Sequence, residues 1–261
     1  MSTEDFIVEL FCRVDDRMGD QPKHPQAYLH PSEVVTLALL FAIKGVGERA
    51  FYRWIDRDWR HLFPKLPERT RLFRLLVTHH DWTDRFLAQP TVLGVADTYG
   101  VELIHPRREG RSKRQIGRKG LSNKRWIVGG KLGLVLNQWG LVCAWDADTA
   151  NTHDSRFREL IRPFEEKMIV LTDSGFHGHQ GDPTNMKVCQ PRTWNCRMLI
   201  ETVLSMLTLV CHLKRVGHRV WRYFKARLAY MMAAFNLLVS WHGLKPDETG
   251  RIRLSIAEFG L

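Results

Sequence analysis

The sequence contains few cysteines, and their spacing matches no redox motif. There are five, with no Cys-x-x-Cys pair among them: Cys12, Cys143, Cys189, Cys196 and Cys211. An odd, scattered set of cysteines is typical of proteins in a reducing compartment. The N-terminus, Met-Ser-Thr-Glu-Asp, is acidic and has no signal-peptide pattern. We therefore expect a cytoplasmic protein.

The sequence also lacks an apolar run long enough to cross a membrane. The longest uncharged apolar run covers 14 residues, 228–241, and contains Asn236. A membrane-spanning helix needs about 20 such residues. We therefore expect a buried helix here, in the core or at a dimer contact, and no membrane partner.

Acidic residues are outnumbered by basic ones. The chain has 28 Asp and Glu against 39 Lys and Arg, which gives a net charge of +11 and a pI of about 9.7. An excess of this size favours a polyanionic partner, nucleic acid first. With 261 residues and 44% hydrophobic residues, the chain is long enough for one large core.

Most of the excess positive charge lies in one glycine-rich segment. Residues 107–125 contain nine Lys and Arg and one Glu, a net charge of +8. Glycines let the backbone approach phosphate closely, and the cations neutralise it. The alternative is an ordinary solvated loop. We take five of its residues as candidate DNA contacts: Arg114, Arg118, Lys119, Lys124 and Arg125.

The hydrophobic pattern divides the chain into a helical unit, a mixed unit and a tail. Residues 1–89 are expected to be helical, with Ser32 capping the first strongly apolar helix and further helices over 49–62 and 70–80. This unit either binds DNA or only packs. Residues 90–245 are expected to form an α/β unit whose last part, from 194, is helical, and residues 246–261 a polar tail.

Within the α/β unit, short apolar runs predict four strands and one intervening helix. The predicted helix covers 156–164. The predicted strands cover 91–96, 126–136, 141–146 and 168–172. Strands that alternate with helices in this way indicate a mixed α/β layer.

Three carboxylates lie at the end of an apolar segment or within one. Asp97 and Asp173 each follow a predicted strand, and Glu201 lies within the apolar stretch 198–213. A buried carboxylate is costly unless it is paired, and a shared divalent cation would pair all three. Oxygen-only ligands favour Mg²⁺ or Mn²⁺. This pattern is typical of two-metal phosphodiester cleavage.

The local sequences around these acids resemble those of DDE-type transposases of bacterial insertion sequences. Val95-Ala96-Asp97-Thr98 resembles their first-Asp strand, and Thr172-Asp173-Ser174-Gly175-Phe176 their second-Asp turn. Trp194-x-x-Arg197-x-x-x-Glu201 resembles their third-acid signature, with Trp in place of the usual Tyr. The signature ends in Lys, but this chain has Thr208 there. Asn151-x-His153-Asp154 is also similar to bacterial members, and the resemblance spans roughly residues 30–242.

The resemblance implies a ribonuclease H-like mixed sheet flanked by helices, with a helical N-terminal unit and a helical C-terminal part. It also implies Asp97, Asp173 and Glu201 as catalytic metal ligands, with two Mg²⁺ or Mn²⁺ ions when substrate is bound. The expected partners are double-stranded DNA, at the element ends and the target, and a second copy of the chain on DNA. Further candidate DNA contacts are Arg197, Lys214 and Arg215.

Several alternatives remain open from the sequence. The chain could be a DNA-binding protein derived from a transposase but without activity, or a nuclease without strand transfer. Asp154 could cap the following helix, or His153-Asp154 could orient substrate. Residues 214–227 contain a second basic cluster, Lys214, Arg215, Arg219, Arg222, Lys225 and Arg227, which is either a DNA face or a solvated one. His177, His179, Cys189 and Cys196 match no common zinc pattern.

Overall fold

The structure of the chain is a computed structural model. It describes residues 1–122, 124–178, 181–189, 196–244, 248 and 255–261. Half of the predicted polar tail, 246–261, therefore lies outside the described residues. No described helix combines the length and the apolar character that a membrane span requires.

The N-terminal part is helical, as the sequence predicts. Its four α-helices are followed by a 3-10 segment: α1 Thr3–Met18, α2 Pro31–Lys44, α3 Glu48–Asp58, α4 Arg69–Thr78 and the segment His80–Phe86. Helix α1 was not predicted individually. It begins with a capping box in which the Ser2 hydroxyl accepts from the Asp5 amide and the Asp5 carboxylate accepts from the Ser2 amide.

The predicted cap of α2 is wrong by two residues. His30 is the N-cap, and its Nδ1 accepts a hydrogen bond from the Ser32 amide. Ser32 itself is fully buried, and its hydroxyl donates to the Asp15 carboxylate of α1. Ser32 therefore joins two helices instead of capping one.

Six strands form one mixed sheet. They are β1 Leu93–Ile104, β2 Arg118–Ser122, β3 Arg125–Asn137, β4 Val142–Thr149, β5 Ile169–Thr172 and β6 Met186–Val188. Strand β3 is antiparallel to β1 on one side and to both β2 and β4 on the other. Strand β5 is parallel to β1 and to β6. The mixed α/β layer predicted from the sequence is thus confirmed.

Three local predictions in this unit are wrong. Strand β1 does not end before Asp97 but continues to Ile104, because β3 is long enough to pair with it from Gly94 onward. The basic segment is not a loop throughout, since it contains β2. The predicted helix over 156–164 consists of two 3-10 segments, Asp154–Leu160 and Arg162–Phe164.

The two faces of the sheet are covered by different elements. Leu132, Leu134 and Leu136 of β3 belong to the larger core, which also contains residues of α5 Cys196–Leu209 and α6 Trp221–His242. Val135 faces the opposite side, in a smaller core with Phe157 of the 3-10 segment. Residues 132–136 of β3 therefore alternate between opposite cores, which explains why this part of the strand has no polar side chain.

Helix α6 is buried along most of its length and confirms the predicted buried helix. Asn236, the polar residue in the apolar run, is 4% exposed and fully hydrogen-bonded. Its amide nitrogen donates to the carbonyls of Phe86 and Val142, and its amide oxygen accepts from the Val142 amide. Helix α6 also packs on α2 and shares the larger core with the N-terminal helices.

Candidate active site

A cleft of about 840 Å³ brings the predicted acidic residues together. Its lining comes from β1, β3, α5 and the turn after β5. Asp97, Asp173 and Glu201 all line it, although they are far apart in the sequence. Two lysines and a fourth acid also line it: Lys131, Lys214 and Asp154.

Pairing between β1 and β5 determines where the two aspartates lie. The parallel register pairs Gly94 with Val170 and Val95 with Leu171. Two residues further along, this register reaches Asp97 on β1 and Asp173 just past the end of β5. Asp97 therefore lies beside Asp173 even though Asp97 is within its strand and not at the strand's end.

The backbone beside each aspartate fixes one of its carboxylate oxygens. Asp97 Oδ1 accepts from the Thr98 amide at 2.7 Å. Asp173 Oδ1 accepts from the Gly175 amide at 3.0 Å, at the start of a short 3-10 turn. Asp97 is half-buried and Asp173 is exposed, so both are accessible from the cleft.

Glu201 lies on α5 and reaches the cleft from the helical side. The same helix contributes Ile200, Leu204, Ser205 and Thr208 to the lining. Thr208, which stands at the signature's Lys position, thus shares the Glu201 face as the seven-residue spacing predicts. Trp194 and the side chain of Arg197 lie outside the described residues.

Lys131 lines the cleft without having been predicted as a site residue, and Asp154 was considered only as a helix cap or, with His153, as a substrate-orienting residue. Lys131 Nζ lies 2.8 Å from Asp154 Oδ1, and the Thr98 hydroxyl donates to the same oxygen at 2.9 Å. Asp154 does not cap the following segment, since His153 Nδ1 accepts from the Ser155 amide there. A signal was available: Lys131 is the one charged residue between Trp126 and Asn137. A charge inside a buried strand requires a partner.

The basic segment folds partly into a hairpin of β2 and β3 beside the cleft. The five candidate DNA contacts in this segment are all exposed: Arg114, Arg118, Lys119, Lys124 and Arg125. Two of them have acidic partners, with Lys119 3.3 Å from Glu109 and Arg125 3.3 Å from Glu102. Leu121 and Ser122 of the hairpin line the cleft. A nucleic acid bound in the cleft would therefore meet the hairpin.

The second basic cluster is not a uniform face. Lys214 and Arg215 are exposed, and Lys214 lines the cleft 6.0 Å from the Tyr99 ring. Lys225 forms an ion pair with Asp146 at 2.7 Å. Arg227 is only 3% exposed and lies 3.8 Å from the centre of the Phe41 ring. Placing Arg227 on a DNA or solvated face was therefore wrong, because it belongs to the helical core.

The zinc alternative gains no support from the described residues. His177 Nδ1 contacts the Asp182 carboxylate at 2.6 Å. Burial raises the pKa of the Cys189 thiol, which disfavours the thiolate form that binds metal. His179 and the side chain of Cys196 lie outside the described part of the chain.

The donor set of the cleft suits a hard divalent cation in its chemistry, since all three predicted ligands supply carboxylate oxygens. Among the described residues, however, no three His, Cys, Asp or Glu side chains form a ready-made metal-binding group.

Comparisons with known proteins identify no family for this chain. No protein-family model, no curated protein and no solved structure matches it.

Proposed function

We propose that this protein is a DDE-type transposase, which cuts DNA at the ends of an insertion sequence and joins them to target DNA. The observation that carries the proposal is the meeting of Asp97, Asp173 and Glu201 in one cleft. The strand order β4-β3-β1-β5-β6, with β3 alone running opposite to the others, supports a ribonuclease H-like fold for the sheet.

In this proposal the cleft holds a DNA phosphodiester between the acids and the basic hairpin. Asp97, Asp173 and Glu201 would hold two Mg²⁺ or Mn²⁺ ions when substrate is bound. Metal bound there would supply Lewis-acid chemistry, lowering the pKa of an attacking water or DNA 3′-hydroxyl and compensating negative charge on the leaving oxygen. The exposed cations of the hairpin, together with Lys214, would contact the phosphate backbone and position the duplex without reading its bases.

Replacement of each acid by its amide tests the proposal. We expect Asp97→Asn, Asp173→Asn and Glu201→Gln each to reduce Mg²⁺-dependent cleavage by about 10³-fold or more, because each loss disables the shared site. The losses should be non-additive, and duplex binding should persist. Asp146→Asn is the matched control, since Asp146 lies on the same sheet but not among the cleft residues.

Two measurements decide between the proposal and its alternatives. Plasmid cleavage by the wild type excludes an inactive DNA-binding protein, and transfer of a labelled 3′-end into a second duplex excludes a simple nuclease. An acid variant that cleaves at the wild-type rate would remove that residue from the site. Light scattering with DNA bound tests the expected homodimer.

A further inference from the structure

Asp154 links two of the strands that build the cleft. Its Oδ1 accepts hydrogen bonds from the Thr98 hydroxyl of β1 at 2.9 Å and from Lys131 of β3 at 2.8 Å. Thr98 directly follows Asp97, and its amide donates to Asp97 Oδ1 at 2.7 Å. Asp154 therefore restrains β1 at the residue that also orients the Asp97 carboxylate.

The other oxygen of Asp154 points to the turn that carries Asp173. A β-carbon at Gly175 would lie 3.0 Å from Asp154 Oδ2 and 3.1 Å from Asp173 Oδ1. The carboxylates of Asp154 and Asp173 thus approach the same point of the turn. A side chain at position 175 would force one of them to move, so glycine is required for their present positions. Asp154 is in this way adjacent to both aspartates of the site.

Lys131 completes the arrangement from within the sheet. Its side chain is 11% exposed, and its ammonium group is held by Asp154 inside a cleft with three further carboxylates. Because Lys131 balances the charge of Asp154, that carboxylate can hold its neighbours without adding an uncompensated negative charge.

We propose that Asp154, anchored by Lys131, is a positioning residue that sets the placement of Asp97 relative to Asp173. The inference rests on the proposed function, since it assigns Asp154 a role in the same metal-dependent site. Residues that orient metal ligands typically change metal affinity or activity by about 10- to 100-fold when they are removed.

The first test removes the ion pair as a whole. Replacing only one partner would leave a buried charge unpaired, whereas replacing both by apolar residues of similar size is often tolerated. We expect Lys131→Met/Asp154→Leu to melt close to the wild type. It should bind Mn²⁺ about 10- to 100-fold more weakly, as measured by the paramagnetic resonance of free Mn²⁺ with a short duplex bound, and cleave more slowly. Lys225→Met/Asp146→Leu, a Lys–Asp pair outside the cleft, is the matched control.

A second variant keeps every charged group and tests the geometry alone. Gly175→Ala would place its methyl group between the carboxylates of Asp154 and Asp173, so that one of them must move by a few tenths of an ångström. We expect weaker Mn²⁺ binding at an unchanged melting temperature. This variant decides the question if the double variant does not fold.

The outcomes are distinguishable. Wild-type Mn²⁺ affinity and cleavage in both cleft variants would overturn the positioning role and leave the proposed transposase intact. A melting temperature that falls with the loss of Mn²⁺ affinity in both variants would make the pair a merely structural one. The third outcome is a wild-type protein that does not cleave DNA and, with the duplex bound, binds no more Mn²⁺ than the duplex alone. It would overturn both the proposed function and the inference.

Discussion

A buried arginine, Arg227, lies close to a histidine whose pKa is unusually low. Burial lowers the pKa of Arg227 to about 10, which still leaves it charged at neutral pH. His218 lies nearby and is partly buried, and this burial together with the Arg227 charge lowers the pKa of its imidazole to about 4. Its Nδ1 lies 3.8 Å from Glu48, but that carboxylate does not offset burial. His218 is therefore neutral in the folded protein at pH 5.

This depressed pKa predicts that the protein loses stability in mild acid. The unfolded chain binds a proton at His218 near pH 6.5, whereas the folded chain does not until about pH 4. The stabilisation from neutral His218 is thus complete above pH 6.5 and decreases as the pH falls towards 4, by up to about 3 kcal/mol. Urea unfolding at pH 7 and pH 5 measures it, and His218→Asn should show a smaller difference. An equal difference in both proteins would contradict the prediction.

At the scale of single residues, a site residue could be predicted from the sequence only where its immediate neighbours in the chain made it unusual. Asp97 and Asp173 were predicted because each directly follows an apolar run, and Glu201 because it interrupts one. The pairing of Lys131 with Asp154 was not predicted, because the two residues are 23 positions apart and meet only when β3 and the segment after β4 come together. The burial of Arg227 was missed for the same reason, since it depends on contact with Phe41, far away in the chain.

At the scale of elements, the hairpin of β2 and β3 and the segment that leads into it present cations of two kinds. Arg114, Arg118 and Lys124 are exposed, while Lys119 and Arg125 each have a glutamate within 3.3 Å. Cations already paired with acids release fewer counterions on binding DNA, so the first three should dominate the electrostatic contribution.

We therefore predict that neutralising three cations changes the salt dependence of DNA binding. For Arg114→Gln/Arg118→Gln/Lys124→Gln, the slope of log K against log salt should flatten by up to about 0.9 for each lost phosphate contact, on any duplex sequence. The matched control is Arg156→Gln/Lys167→Gln/Lys187→Gln, three exposed cations that do not line the cleft. Titrations at several salt concentrations that give parallel slopes for both triples would assign the hairpin no special part in binding.

Apolar runs predicted the positions of β3, β4 and β5 because these strands place their own apolar side chains in the core. They did not predict β2, which contains one apolar side chain, Leu121, and whose strand conformation depends on pairing with β3. The end of β1 was misplaced for a related reason: its second half continues because it pairs with β3 as far as Ile104. Pairing with a neighbour is not visible in the sequence of one strand.

At the scale of the whole molecule, α6 connects the N-terminal helices to the sheet. It packs on α2, and Asn236 joins it to the carbonyl of Phe86 and to the backbone of Val142 on β4. Residues of α1, α2, α6 and β3 belong to one continuous core. If α6 unfolded, both the N-terminal helices and the sheet would lose a buried contact surface. We therefore expect the N-terminal helices and the sheet to unfold together as one cooperative unit.

The last prediction tests this cooperativity. Leu40 on α2 is fully buried, and Leu40→Ala should destabilise the protein by about 2–5 kcal/mol. If the chain unfolds as one unit, hydrogen exchange of the slowest amides in β3 should accelerate by the same free energy as in α2, although no residue of β3 has changed. Val8→Ala, at a position that is 46% exposed on α1, should alter neither element by more than about 0.5 kcal/mol. Unchanged protection in β3 beside lost protection in α2 would mean that the N-terminal helices open as a separate unit. A cleft formed by β1, β3 and α5 would then keep its shape without them, and their part in the function would have to lie in contacts with DNA.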